Sequence, residues 1–175
     1  GQEGASIEVY EAQRNLIHHN VSVNDTTFTE LGSSNRRDSE DNVFAYNVYV
    51  SHLPNSEFLV LRGPRAHFGP TPGTKAFHNT VYLSHPQETE GIVCYDGCGP
   101  HILEVRNNII WSEGKAIYVD QPIAESHNLY WRSDGRPLRQ FQGSGNAMSD
   151  DSIVADPLFR DIGSNDVRLQ PGSPA

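Results

Sequence analysis

"VRNNIIW" (residues 105–111) and "SHNLYW" (126–131) each set an asparagine at the head of a short apolar run, and the same plan occurs earlier as "HHNVSV" (18–23), "AYNVYV" (45–50) and "FHNTVYLSH" (77–85). The marker residues are Asn20, Asn47, Asn79, Asn108 and Asn128, so the steps between them are 27, 32, 29 and 20 residues, within the range of solenoid repeats. A second strand-like run recurs between the markers: "SIEVY" (6–10), "FTEL" (28–31), "EFLVLR" (57–62), "GIVCY" (91–95) and "KAIYV" (115–119). Turn chemistry separates the runs, as in "GSSNRRDSEDN" (32–42) and "GPRAHFGPTPGT" (63–74). One short strand pair cannot bury its apolar face, but stacked coils bury it continuously, about 4.8 Å apart. The pattern therefore predicts an all-β parallel β-helix, a solenoid of about five coils. In it each marker asparagine takes the left-handed or bridge conformation of a corner and donates its amide to the asparagine of the next coil.

Composition agrees with a fold rich in surface. The chain has 175 residues, enough for one domain (1–175), with 36% apolar residues, 9% aromatics and 20% charged residues. Thirteen Lys and Arg stand against 22 Asp and Glu, a net charge of -9. That excludes the basic stripe a nucleic-acid partner needs. No apolar run approaches the roughly 18 residues of a membrane span. "GQEGASIEVYEA" enters a strand pattern at once and "RLQPGSPA" stops without a polar tail, so the chain reads as cut at both ends, with flanking parts of the same protein expected. Cys94 and Cys98, in "CYDGC", are close enough to close a small disulfide loop, which implies an oxidising compartment; two free thiols are the alternative.

The Asn-headed phrases, together with "ADPLFRD" (155–161) and "VRLQPGSPA" (167–175), resemble the right-handed parallel β-helix proteins of the pectin-lyase-like superfamily. The closing stretch looks like the last coil of many secreted bacterial members, which makes this chain similar to a C-terminal portion. The resemblance implies a secreted protein and a polysaccharide partner lying along one face. It also implies lyase chemistry with acidic residues holding Ca²⁺ against uronate carboxylates and an arginine or lysine as base. One such solenoid hosts lyases, hydrolases, adhesins and inert spacers, so the fold does not choose among them.

The residues themselves offer candidates. Stacking Ile7, Phe28, Phe58, Ile92 and Ile117 gives an end column of Glu11, Gly32, Arg62, Asp96 and Gln121, with Arg62 and Asp96 on adjacent coils. A surface ion pair is the plainer reading of those two. Glu30 faces inward in that register, whereas a slip of one residue turns it outward beside Glu8. Glu30, Arg62 and Asp96 are the catalytic candidates, and Glu8, Tyr118 and Asp120 share their face as substrate contacts. Paired carboxylates one or two coils apart bracket the spacings of glycoside hydrolysis. His19, Tyr46, His78, Asn107 and His127 precede the markers, a column in which Tyr46 and His78 would bind sugars or merely flank the bend. No compact histidine spacing gathers three zinc ligands. The stretch "RSDGRPLRQFQGSGNAMSDDS" (132–152) reads as a long loop that flanks a groove or covers the last coil. Two functions fit: a carbohydrate-active lyase or hydrolase, and a non-catalytic solenoid serving as a structural, adhesive or polysaccharide-binding module.

Overall fold

The structure, a computed structural model, describes residues 4–87, 89–136, 139–140 and 148–175. The chain winds through three short strands per coil. The first coil comprises β1 (Ala5–Tyr10), β2 (Leu16–His18) and β3 (Val21–Val23), and the second β4 (Thr27–Gly32), β5 (Val43–Ala45) and β6 (Val48–Ser51). The third comprises β7 (Glu57–Arg62), β8 (Thr74–Phe77) and β9 (Thr80–Leu83), and the fourth β10 (Glu90–Tyr95), β11 (Leu103–Arg106) and β12 (Ile109–Ser112). The fifth is β13 (Lys115–Val119), β14 (Ala124–Ser126) and β15 (Leu129–Trp131); β16 (Arg139–Gln140) and β17 (Ile153–Val154) begin a sixth. Corresponding strands pair in parallel into sheet A (β1-β4-β7-β10-β13-β16), sheet B (β2-β5-β8-β11-β14) and sheet C (β3-β6-β9-β12-β15-β17). This is a right-handed parallel β-helix of five full coils.

Sheet B is the strand class missed in the sequence. Its members are three or four residues long and most turn one apolar side chain inward, too few for an alternating pattern. The interior is built of columns that step once per coil. Val9, Leu31, Leu61, Cys94 and Val119 line sheet A; Phe44, Ala76 and Val105 line sheet B; Tyr49, Val81, Ile110 and Tyr130 line sheet C. Cys94 and Cys98 form a disulfide, both fully buried at the edge of this core.

The corner between sheets B and C carries the asparagines, with one correction to their role. The left-handed residues are those before the markers: His19, Tyr46, His78, Asn107 and His127 have φ of 55, 57, 54, 57 and 56°. The marker itself is freed to point inward. Nδ2 of Asn20, Asn47, Asn79 and Asn108 donates to Oδ1 of the next marker at 3.0, 3.0, 2.9 and 2.9 Å, and each backbone N–H donates to the same oxygen. Asn128 ends the run on Ser152 Oγ (2.9 Å) and the Glu125 carboxylate (2.7 Å). A shorter ladder, Asn15 to Asn42 at 2.9 Å, marks the corner before sheet B.

Two further expectations are corrected. The register stacks Ile7, Thr29, Leu59, Ile92 and Ile117, so Phe28 and Phe58 sit one position off the expected column. They pack instead against Tyr49, where the chain bends from sheet C into sheet A. The closing stretch is not a coil: β18 (Phe159–Asp161) and β19 (Asp166–Leu169) form an antiparallel hairpin. It folds back over the outer face of sheet C, where Phe159 stacks on Trp111 with centroids 5.8 Å apart and Val50 and Tyr82 complete the patch. Of the expected loop at 132–152, residues 137–138 and 141–147 lie outside the described residues; Met148 packs against the core. Among the described residues no helix is long and apolar enough to cross a membrane.

Candidate functional site

Sheet A presents an outward face whose chemistry follows from the one-residue correction above. Glu8 pairs in register with Glu30 on the next coil, and both point away from the core, as the outward alternative required. Arg62, one coil further, donates to the Glu30 carboxylate and, at 2.5 Å, to the carbonyl of Leu31. The Arg62 side chain is only 14% exposed, whereas that of Glu30 is 43% exposed, so the ion pair is open on its acidic side.

Two aromatic rings wall this cluster. Tyr10 ends β1 and lies across the second coil because Gly32 has no Cβ; one built there would stand 2.7 Å from the Tyr10 ring. Phe68 comes from the loop after β7, held to the second coil by the Ser33 N–H donating to its carbonyl at 2.8 Å. The Tyr10 and Phe68 rings meet edge to face at 6.2 Å, and the Arg62 guanidinium lies 5.8 Å from the Phe68 centroid. Together Glu8, Tyr10, Glu30, Gly32, Arg62 and Phe68 line a cleft of about 180 Å³. Half-exposed rings beside hydrogen-bonding charges are the furniture of sugar recognition: rings take the apolar face of a pyranose, and charged groups take its hydroxyls.

A second row of charges flanks the cleft along the start of the same sheet. Glu57 pairs in register with Glu90, and Glu90 with Lys115, whose Nζ donates to the Glu90 carboxylate at 2.5 Å. Burial first, and then the carboxylates of Glu90 and Glu30, push Glu57 up to about 7, against the opposing pull of Arg62. Neither Glu57 nor Glu90 was singled out in the sequence, because their strands were read from the apolar runs that follow them.

The remaining candidates fall elsewhere. Asp96 is not beside Arg62: the register sets Arg62 opposite Tyr95, and Asp96 sits in the next turn with φ 65°, its carbonyl accepting from the Arg65 N–H. Asp120 braces that turn, accepting from the N–H groups of Gly97 and Cys98 at 2.8 and 3.0 Å and from Arg65 at 3.2 Å. Tyr118 lies under the Lys115 ammonium, 4.0 Å from its centroid, three coils from the Glu30 carboxylate. Tyr46 and His78 are on the corner between sheets B and C, so the sequence candidates divide between two surfaces. Among the described residues no three carboxylate, imidazole or thiol side chains converge as a metal-ligand set. Comparison of the chain with protein-family models, curated proteins and solved structures finds no match.

Proposed function

We propose that this chain is a single β-helix domain of a secreted protein of the pectin-lyase-like kind, and that it engages a polysaccharide along the outer face of sheet A. The observation that carries this reading is the cleft in which Tyr10 and Phe68 flank Glu8, Glu30 and Arg62. The buried disulfide supports an oxidising, extracellular setting. Arg62, already engaged by a carboxylate and a carbonyl, is placed to bind rather than to abstract a proton. With Asp96 outside the residues that line the cleft, the geometry favours saccharide binding over lyase chemistry. A uronate chain would need a cation such as Ca²⁺ to lie against Glu8 and Glu30, with the sugar supplying the further oxygen ligands.

A hydrolytic reading is favoured by one feature. Glu8 and Glu30 are register partners on neighbouring coils, about 4.8 Å apart at the backbone, near the separation of retaining glycosidase carboxylates. The test is a screen of neutral and uronate polysaccharides, with and without Ca²⁺, reading binding, new reducing ends and the ultraviolet absorbance of unsaturated products. Arg62→Ala should weaken binding at least tenfold with the fold intact. If no polysaccharide binds the wild-type protein, the reading is wrong; if one is turned over and Glu30→Gln abolishes this, the hydrolytic form replaces the binding one.

A further inference from the structure

The corner between sheets B and C holds a ring stack with a gap in it. The rings of His19 and Tyr46 stack at 5.2 Å, and those of Tyr46 and His78 at 4.9 Å and 3° from parallel, one ring per coil. The fourth coil places Asn107 at the equivalent position, and the fifth returns to a ring, His127. His78 and His127 are thus two coils apart, about 9.6 Å by strand spacing, with a short amide between them. That span is two stacking distances, so it has room for one more ring.

The backbone alone does not fix which side chain stands at each position. Every residue of this column has a left-handed φ, which asparagine tolerates better than most residues, and Asn107 shows that asparagine satisfies it. Histidine shares that tolerance, so the left-handed φ admits an imidazole or an amide at this position without choosing between them, and the outer surface decides which ring or gap stands there. The side chains of His78, Asn107 and His127 have no hydrogen-bond partner among the described residues and are exposed. They form one wall of a groove of about 480 Å³. Its floor is the aligned apolar column Ile109, Leu129 and Ile153, and Leu169 of the terminal hairpin stands opposite.

Resting on the reading that this protein engages saccharides, we propose that this gap is a second, separate sugar site. One pyranose ring of a neutral saccharide sits between His78 and His127 in place of the missing ring. The Asn107 amide and the imidazole nitrogens bond its hydroxyls, and its apolar edge rests on Ile109 and Leu129. A neutral sugar is favoured over an anionic one because, among the described residues, the groove is lined by a carboxylate, Asp151, and by no lysine or arginine.

The test is titration with neutral oligosaccharides of glucose, mannose, xylose and galactose, following the histidine ring signals by NMR and affinity by calorimetry. Binding should shift His78 and His127 together. Asn107→His fills the gap with the residue type the column already carries, and should cut affinity for the corner at least tenfold. His127→Gly removes one wall at a position where glycine relieves backbone strain, and should do the same. Arg62→Ala and Glu30→Gln, in the sheet A cleft, should leave corner binding unchanged. If binding is lost with the sheet A variants and is indifferent to Asn107→His and His127→Gly, the corner site is refuted while the cleft stands. If a flat aromatic compound shifts the two histidines and no saccharide does, the assigned ligand class is wrong; if no saccharide binds anywhere, both sites are refuted together.

Discussion

Glu57→Gln separates the effect of one buried carboxyl from the rest of the titrating surface. Glu57 lies under Thr27 and Glu30 of β4, beside Arg62 of its own strand, against Glu90 of β10, and near the Tyr49 phenol of β6. Its carboxyl moves from an ordinary value of 4.5 to about 7. In the unfolded chain the proton leaves near the lower value, and in the folded protein near the upper one. Between them the folded state binds more protons, so stability falls as pH rises through this window, and the loss is complete above about pH 7. At about 1.4 kcal/mol for each tenfold change, the full loss is about 3 kcal/mol. Glutamine keeps the shape and removes the titration. The variant should match the wild type in urea unfolding at about pH 4.5 and exceed it by up to about 3 kcal/mol at about pH 8. Parallel stability profiles for the two proteins across that range would refute the argument, because they would mean that Glu57 ionises without penalty where it sits.

Asn79→Leu should cost roughly 3 kcal/mol in the same assay, since it takes the acceptor from the Asn47 backbone N–H, leaves the Asn47 amide with only the Ile17 carbonyl, and removes one of the two donors to Asn108 Oδ1; an unchanged midpoint would show that the ladder contributes no net stability. Thr29→Val should act in the opposite direction. Thr29 Oγ1 is fully buried with no partner among the described residues, so replacing the hydroxyl by a methyl should stabilise by about 1 kcal/mol, and a loss on thermal unfolding would mean the hydroxyl is satisfied after all.

The parts of this fold that were legible in the sequence are those where one residue type repeats for one reason. The amide ladder needs asparagine and nothing else, so the spacing of five asparagines gave the number of coils. Glu30 shows where that logic stops. Phe28 and Phe58 look like the heads of alternating runs, yet they occupy the bend where sheet C passes into sheet A, and counting from them turned Glu30 inward. Side-chain period cannot reveal a bend, because the pattern is the same on either side of it. The left-handed positions were misplaced by one residue for a related reason. Asparagine is both the best ladder residue and a good left-handed residue, and here the two tasks fall to neighbours. The cleft was half legible: Glu8, Glu30 and Arg62 belong to recurring strands. Phe68 arrives from a loop whose path no repeat encodes, and Tyr10 is brought over by the absence of a side chain at Gly32.

The asparagine ladder also has a direction. Every amide donates toward the C-terminal coil and accepts at its oxygen from the coil before, so the four links align their dipoles along one axis rather than cancelling. Such aligned groups polarise one another, and the column behaves as the side-chain counterpart of a helix dipole, with its positive pole at Asn128. That pole is where a carboxylate stands. Glu125 occupies the register position filled by Val105 and Ala76 in the coils before it, and accepts from Asn128, from the Tyr130 hydroxyl at 2.9 Å and from the Ser149 N–H at 2.7 Å. An acidic residue in a column otherwise apolar thus neutralises the pole as a capping aspartate does for a helix, and the stack is electrostatically finished at that end. The opposite pole of the column is the amide oxygen of Asn20, so the two ends of the ladder carry partial charges of opposite sign.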